Sequence, residues 1–163
     1  MNLEKDFDQI FHNYSDKVYR LCLGYAAGDI ALAQDWQQET FIKVWKHRKS
    51  FKGESNISTW IYRIAANTCL GDLRSLKKQL PLKEEALAQL RSDETETQED
   101  QIWQMYQCID QLTPQNKTMI LLELEAVPQA EIGQTMGLKH GAVRTRLNRI
   151  RQSLLKCLTN GKR

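Results

Sequence analysis

Apolar residues recur at intervals of three and four positions through most of this chain, which is the spacing of one face of an α-helix. The first run places eight apolar side chains on one stripe: Phe7, Ile10, Phe11, Tyr14, Val18, Leu21, Cys22 and Tyr25. Only 8 glycines and 3 prolines occur among the 163 residues, so there is little material for the many turns of a strand-rich fold. The pattern predicts an all-α protein.

Two more helices are predicted in the first half of the chain. Gly28 ends the first helix, and Asp29 is placed to cap a second one over about residues 30–48. Its predicted buried stripe leaves out Trp36 and comprises Ile30, Ala33, Phe41, Val44 and Trp45. A polar loop at 49–56 precedes a third helix, with Ile57, Trp60, Ile61, Ile64, Thr68 and Leu73 on one side. Three such helices are expected to bury a common core, forming a domain over residues 1–78.

Residues 79–98 interrupt the helical spacing and predict a flexible linker. Pro81 breaks the helix, and the acidic run that begins at Ser92 carries no apolar side chain up to Asp100. Helical spacing returns at Ile102, and Thr113-Pro114 has the residue types of a capped helix start. Residues 99–163 are therefore expected to form a second small helical domain.

The segment 128–152 has the spacing of a helix-turn-helix unit, whose second helix enters the major groove of DNA. Gly133 would allow close helix packing, Gly137 would supply the turn, and Val143 would face the core with Leu147 and Ile150. The opposite face carries side chains that suit guanine, adenine or phosphate oxygens: Arg144, Thr145, Asn148, Arg149 and Arg151. A merely solvated terminal helix is the alternative interpretation.

A second candidate surface for nucleic acid lies in the first domain, where a polar loop precedes a helix carrying Trp60, Tyr62, Arg63 and Asn67. Aromatic rings and cations beside a polar loop suit unpaired bases, which stack on rings while their phosphates meet positive charge. For Trp60 a core position is the competing interpretation. For Ser55, Asn56 and Asn67, capping or ordinary solvation competes with base contact.

The charge distribution agrees with two such surfaces. Residues 40–80 carry nine basic and two acidic side chains, and residues 134–163 carry eight basic and none acidic, with an acidic stretch between them. Two separated basic blocks indicate two surfaces that meet one polyanion, although two solvated helix faces would have the same composition.

Several other function classes find no support in the sequence. The four cysteines lie 39 to 49 residues apart, so neither a metal site nor a disulfide framework is expected. No phosphate-binding glycine loop, nucleophile elbow or paired metal-ligand motif occurs, which argues against an enzyme and against a cofactor. The acidic N-terminal segment is not a secretory signal and no apolar run could span a bilayer, so we predict a cytoplasmic protein.

Two stretches of this chain resemble the extracytoplasmic-function (ECF) sigma factors of bacterial RNA polymerase, in the sigma-70 family. They are QQETFIKVWKHRKSFKGESNISTWIYRIAAN at 37–67 and EIGQTMGLKHGAVRTRLNRIRQSL at 131–154. The resemblance implies that 1–78 is sigma region 2, which binds core polymerase and the minus-10 element, and that 99–163 is region 4, which binds the minus-35 element. It implies core polymerase as partner, through the β′ clamp helices and the β flap, and promoter DNA in duplex and single-stranded form. An anti-sigma factor is a further partner that the resemblance suggests.

The resemblance also implies roles for individual residues. The polymerase-binding set is Gln38, Glu39, Ile42 and Trp45. Because Phe41 and Trp45 are also expected in the core, Gln38, Glu39 and Ile42 are the better candidates for this interface. The minus-10 set is Phe51, Lys52, Gly53, Glu54, Ser55, Asn56, Arg63 and Asn67. The minus-35 set is Lys139, His140, Arg144, Thr145, Asn148, Arg149 and Arg151. One departure from the family is that Val127-Pro128 stands where its scaffold helix usually opens with a Ser or Thr cap.

Two other functions remain open on the sequence. A stand-alone helix-turn-helix regulator would bind specific duplex DNA tightly without polymerase. A helical interaction adaptor, whose basic blocks only keep it in solution, would show no dependence on DNA.

Overall fold

The computed structural model describes residues 2–79 and 97–160, with side chains up to 76 in the first range, and within these ranges the chain forms seven α-helices and no strand. We call 2–79 the first body and 97–160 the second body. The first contains α1 (Leu3–Tyr25), α2 (Ile30–Lys46), a 3-10 turn (Arg48–Ser50) and α3 (Ile57–Gln79). The second contains α4 (Gln98–Asp110), α5 (Pro114–Leu124), α6 (Gln129–Met136) and α7 (His140–Asn160). The predicted linker at 79–98 falls almost wholly outside the described residues.

The helix starts follow from short polar side chains that satisfy free backbone N–H groups. Asp29 accepts from the Leu32 amide at 3.1 Å, as the sequence predicts, and Thr113 caps α5 with Pro114 in its first turn. Thr97 and Asp100 form a reciprocal capping box at the start of α4. Helix α6 begins after Pro128 without a side-chain cap, so the departure noted in the sequence is a real feature of the fold.

Helix α2 is buried differently from the prediction. Trp36, which was predicted to lie off the buried stripe, is buried, and its indole N–H donates to Asp72 Oδ2 at 2.6 Å. Ile30 and Trp45, predicted to be buried, are 59% and 40% exposed. The physical reason is that α2 packs against both α1 and α3, so its core-facing arc is wider than a single stripe and is shifted toward Trp36.

Two other aromatic residues of the first body also differ from their predicted environments. Phe11, predicted on the buried stripe of α1, is 45% exposed and meets Phe41 edge to face at 4.8 Å. Tyr62, predicted on the nucleic-acid surface, is buried in the core. It packs edge to face with Tyr14 on α1, because α3 turns this side toward the other two helices.

The helix-turn-helix prediction is confirmed in its details. Gly137 adopts the left-handed conformation, with φ +68°, and ends α6. A Cβ on Gly133 would lie 2.7 Å from the backbone oxygen of Leu138, so the turn is tight enough to require glycine there. Val143, Leu147 and Ile150 are buried on the inner side of α7.

The prediction that no disulfide is present is wrong, because Cys108 on α4 and Cys157 on α7 are bonded. Cys22 and Cys69, on α1 and α3, are buried free thiols whose sulfur atoms lie 3.6 Å apart. In both cases residues more than 45 positions apart are brought together by helix packing, which cysteine spacing alone does not reveal.

The two bodies pack against each other through α1 and α3 on one side and α4, α5 and α6 on the other. Gly24 on α1 lies against the side chain of Leu121 on α5, close enough that an added Cβ would require the leucine to move. Beside it, the buried hydroxyls of Tyr25 and Thr118 share a hydrogen bond of 2.5 Å, and Arg20 pairs with Glu125 at 2.7 Å. None of the described helices is long and apolar enough to cross a bilayer.

Candidate nucleic-acid and polymerase interfaces

The outer face of α7 is a continuous basic and polar surface. All seven residues of the predicted minus-35 set are exposed there or in the preceding turn: Lys139, His140, Arg144, Thr145, Asn148, Arg149 and Arg151. The packing of the buried Val143, Leu147 and Ile150 turns the rest of the α7 surface, including these residues, toward solvent. The helix therefore presents donors to a ligand outside the protein.

The arginines on this face differ in how they are held. Arg151 pairs with Glu123 on α5 and donates to Asn148 Oδ1 at 3.0 Å, which fixes its position. Among the described residues, Arg144 and Arg149 have no carboxylate within salt-bridge distance. Their guanidinium groups are thus available for phosphate or base-edge acceptors.

The loop after the 3-10 turn forms one side of an open cavity of about 400 Å³. Its lining comprises Ser50, Phe51, Lys52, Glu54, Ser55, Trp60, Arg63 and Gln134. The rings of Phe51 and Trp60 lie 5.3 Å apart, and Lys52 and Arg63 bring positive charge to the same opening. Two aromatic rings with cations and hydroxyl groups around an open cavity match the chemistry that holds an unpaired nucleotide.

The structure brings together most, but not all, of the predicted minus-10 set. Five members line the cavity: Phe51, Lys52, Glu54, Ser55 and Arg63. Gly53, Asn56 and Asn67 are exposed but are not among its lining residues. Asn67 stands one helical turn beyond Arg63 on α3, so it could meet a longer ligand but not one confined to the cavity.

Sequence reasoning missed one wall of this cavity, because Gln134 comes from α6 in the second body. The contact between α6 and the first body also involves Arg63, whose guanidinium donates to the backbone oxygen of Gln134 and, at 3.0 Å, to that of Thr135. These carbonyls lie in the last turn of α6, where a helix has free acceptors and partial negative charge. Arg63 is thus held by the second body rather than left free in the cavity.

Glu131 at the start of α6 makes a second link between the bodies. It accepts hydrogen bonds from Ser58 and, at 3.3 Å, from Thr59, both in the first turn of α3. Burial and the negative charge of Glu131 raise the pKa of Tyr62 to about 12 and also raise the pKa of Tyr14. The carboxylate therefore acts on two tyrosines of the first-body core as well as on the α3 terminus.

A different chemistry appears where α1 and α2 meet at the surface of the first body. An open groove of about 480 Å³ is lined by Phe7, Phe11, Gln38, Phe41, Ile42, Trp45 and Lys46. Ile42 is 53% exposed, and Trp45 is held by an edge contact with Phe7 at 5.1 Å and by the Arg48 guanidinium 3.9 Å above its ring. Exposed apolar side chains on a rigid helix pair are typical of a protein-docking surface. We call this groove the α1–α2 patch.

The α1–α2 patch includes three residues of the predicted polymerase-binding set and places the fourth beside them. Gln38, Ile42 and Trp45 line the groove, and Glu39 is exposed next to Gln38, where it pairs with Lys43 at 3.4 Å. Phe7 and Phe11 were not expected here, because the spacing of α1 could not distinguish the core side of its stripe from the side that faces α2.

A smaller groove of about 220 Å³ lies on the second body, where it meets α1. It is lined by Arg20, Ile102, Met105, Tyr106, Ile109, Leu121, Leu124 and Glu125. Ile102 and Leu124 are both about half exposed. Arg20 of the first body and Glu125 of the second, both part of this lining, pair at 2.7 Å.

Two family models match the chain. Sigma-70 region 2 matches residues 10–79, and Sigma-70 region 4 matches residues 102–154. Together they cover both bodies and leave the segment between them unmatched.

Curated relatives match over nearly the whole length. The ECF RNA polymerase sigma factor SigW of Bacillus subtilis is 30% identical, across 93% of this chain and 88% of the relative. The ECF RNA polymerase sigma-E factor of Haemophilus influenzae is 32% identical, across 93% of this chain and 86% of the relative.

Solved structures share the fold. The sigma factor RpoE in complex with the anti-sigma factor NepR from Bartonella quintana has a TM-score of 0.72 and 17% identity, covering 95% of this chain and 98% of that one. CnrH in complex with the cytosolic domain of CnrY has a TM-score of 0.71 and 18% identity, covering 96% and 90%.

Proposed function

We propose residue-level roles for this chain, which belongs to the sigma-70 family of RNA polymerase sigma factors and to its ECF group. As a sigma factor it binds core RNA polymerase and promoter DNA and directs promoter-specific transcription initiation. Sigma factors are binding subunits, and the polymerase supplies the chemistry of RNA synthesis. The observation that carries the residue assignments is the presence of two exposed basic surfaces, one on each body, with an apolar docking groove on the first.

The second body, with predicted boundaries 99–163, binds the duplex minus-35 element through α7. Arg144 and Arg149 are the primary candidates for base edges, since both are exposed and neither pairs with a carboxylate of the described residues. Arg151 is better suited to a phosphate, because its pairing with Glu123 keeps it at the side of the helix. Thr145 and Asn148, which lie between Arg144 and Arg149 in the sequence, contribute polar contacts through their shorter side chains.

The first body, with predicted boundaries 1–78, holds the melted minus-10 strand at the loop cavity. Phe51 and Trp60 offer rings for stacking, Ser55 offers a hydrogen-bonding hydroxyl, and Lys52 and Arg63 meet phosphates. Stacking of roughly 1–3 kcal/mol per base is comparable to the few kcal/mol needed to take a base out of the duplex. Asn67 lies one turn away and is assigned to the next nucleotide along the strand.

The α1–α2 patch is our candidate for the surface that docks on the β′ clamp helices of core polymerase. Its exposed Ile42 and Trp45 supply apolar area, and Gln38 and Glu39 supply polar contacts at the rim. The smaller groove on α4 and α5 is our candidate for the β flap, and it becomes more accessible when Arg20 releases Glu125.

The packing of the two bodies implies a change of arrangement on binding. The bonds to α6 carbonyls take two of the five N–H donors of Arg63 away from promoter DNA, and Gln134 lines the cavity that would take a base. We therefore propose that the bodies separate when the chain docks on polymerase. The solved relative RpoE is bound to an anti-sigma factor, and we propose that this chain also has such a partner and acts in the cytoplasm.

Run-off transcription with core polymerase on a promoter library tests this assignment. We expect initiation only when chain and polymerase are both present, from promoters that share an upstream and a downstream element. Tight binding of specific duplex by the chain alone, without polymerase-dependent initiation, would favour the stand-alone regulator. No dependence on DNA in any assay would favour the adaptor.

A further inference from the structure

The chain holds two cysteine pairs that have different chemical environments. Cys108 and Cys157, with Cα atoms 5.9 Å apart and 49 residues between them in sequence, are joined in the second body. Cys22 and Cys69 face each other in the first-body core as free thiols. Helix packing therefore places every cysteine of the chain opposite another one, yet only one pair is bonded.

The bonded pair connects α7, the helix that we propose reads DNA, to α4, one of the three helices that touch the first body. Cys157 lies near the end of α7, past its last buried residue, Leu154. Cys108 lies near the end of α4, the helix whose Tyr106 ring packs against Gly28 in the first body. The bond is thus the covalent link between α7 and the inter-body contact of α4.

The two pairs also differ in how readily a small reagent can reach them. Cys157 is half-buried, whereas Cys22 and Cys69 are fully enclosed by the first-body core. The hydrogen bond with Cys22 and burial raise the pKa of the Cys69 thiol, which keeps it protonated and unreactive. Thiol chemistry in this chain is therefore directed to the second body.

We propose that Cys108 and Cys157 form a reversible thiol–disulfide site through which the redox poise of the cell sets the stability of the DNA-reading body. The inference rests on the proposed cytoplasmic role, since a disulfide in that compartment is usually transient or redox-sensing rather than structural. The reactant is a small disulfide such as oxidised glutathione. The bond lies beyond the DNA face, because six residues of α7, roughly 9 Å of helix, separate Cys157 from Arg151, the nearest member of the minus-35 set.

Closure proceeds in two exchange steps that balance. The Cys157 thiolate, the more accessible of the two, attacks one sulfur of oxidised glutathione, breaks its S–S bond and releases one glutathione thiolate. The Cys108 thiolate then attacks the Cys157 sulfur of the mixed disulfide and releases the second glutathione. The protein loses two protons and two electrons, and one oxidised glutathione becomes two reduced ones.

A hydrogen-bond acceptor for a reduced Cys157 lies close to its sulfur atom. Gln111, three residues after Cys108, has its side-chain oxygen 3.9 Å from Cys157 Sγ, where it can accept from the free thiol. Apart from the bond, this end of α7 contacts the core only partly, since Leu158 packs against it while Leu155 is exposed. We therefore expect reduction to loosen this end of α7 and α4 without unfolding the first body.

The test equilibrates the purified full-length chain in a series of reduced to oxidised glutathione mixtures, quenches with acid and counts free thiols by maleimide alkylation and intact mass. Wild type should pass from four alkylated thiols to two, with peptide mapping showing a Cys108–Cys157 link that dithiothreitol reverses. The melting temperature of the second body should be about 5–15 °C higher in the closed form than in the open form.

Matched variants identify the pair. Cys157→Ser, and Cys108→Ser as a second variant, should keep three alkylated thiols at every mixture and melt as the open form does. The Cys22→Ala variant should still lose two free thiols on oxidation, because neither Cys22 nor Cys69 takes part in the Cys108–Cys157 site. The proposal is overturned if wild type keeps four thiols throughout, if the link joins Cys22 to Cys69, or if closure leaves the melting temperature unchanged. None of these measurements involves polymerase or DNA, so they are independent of the proposed sigma function.

Discussion

The substitution Gly133→Ala tests how tightly the helix-turn-helix is built. The added Cβ would lie 2.7 Å from the backbone oxygen of Leu138, whereas ordinary contact begins at 3.4 Å. Relief requires the turn to move by about 0.7 Å, since the obstacle is backbone rather than the end of a flexible side chain. That movement strains the 2.8 Å hydrogen bond from the Leu138 N–H to the Gly133 oxygen. It also strains the left-handed backbone of Gly137, which lies between these two residues in the sequence.

Two opposing terms set the magnitude. Alanine is favoured over glycine inside a helix by about 1 kcal/mol. Overpacking that shifts backbone typically destabilises by about 1–3 kcal/mol, and a carbonyl contact this short belongs at the upper end of that range. We therefore expect a net loss of about 1–2 kcal/mol in the free energy of unfolding. For a chain of this size the melting temperature should fall by about 2–8 °C.

The matched control is Gly71→Ala on α3, where nothing lies within 4 Å of the added Cβ. There only the propensity term acts, so the melting temperature should rise by about 2–4 °C. Thermal melts followed by circular dichroism give both values, and hydrogen exchange should show faster opening of α6 and α7 in Gly133→Ala while α1 and α2 stay protected. If Gly133→Ala melted at or above the wild-type temperature, as expected for the control, the inferred close contact between Gly133 and the Leu138 oxygen would be wrong.

Further predictions concern the other surfaces. Ile42→Glu should weaken binding to core polymerase at least tenfold without lowering the melting temperature. Ile30→Glu is the control, since Ile30 is similarly exposed on the same helix but lies outside the α1–α2 patch, and it should leave polymerase binding unchanged. If both variants weakened binding equally, the docking assignment would be refuted. Arg149→Ala should weaken recognition of one upstream base pair by about 1–3 kcal/mol in competition binding of the holoenzyme, whereas equal loss on all sequences would make it a phosphate contact. Glu131→Ala should favour separation of the two bodies and tighten polymerase binding about two- to fivefold. An unchanged distance between the first and second bodies, measured by fluorescence energy transfer, would contradict that. Burial raises the pKa of Tyr62 to about 12, so the unfolded chain, whose tyrosines titrate near 10, loses the proton first. Stability should therefore fall as pH rises from about 10 to 12, and Tyr62→Phe should flatten that fall in urea titrations at stepped pH.

The sequence contains enough information for the helices and the helix-turn-helix because these depend on local rules. Asp29 and Thr113 are polar caps beside apolar runs, and both cap as expected. Gly137 and Val143 keep the spacing that a tight turn followed by an inward-facing helix requires. In each case, residues within one or two helical turns of one another determine the outcome.

The environments that could not be predicted depend on which helices meet. Trp36 is buried and Trp45 is partly exposed, the reverse of the prediction, because α2 packs against two neighbouring helices. The apolar spacing within one helix does not show how many neighbours that helix has. Gln134 enters the loop cavity only because the second body rests on the first. The Cys108–Cys157 bond likewise joins α4 to α7 across three intervening connections.

Arg63 shows why the packing of the bodies matters for function. Sequence reasoning places it in the minus-10 set, and the structure places it in the cavity, but its guanidinium is engaged by the last turn of α6. Two of the five guanidinium donors bind α6 carbonyls in this arrangement and become available to DNA only when the bodies separate. Whatever favours separation of the bodies therefore also frees these donors for the minus-10 strand. The α1–α2 patch includes neither Arg63 nor the α6 carbonyls, so docking there does not by itself break this contact. We therefore expect that polymerase must also engage the second body to free all donors of Arg63 for the minus-10 strand.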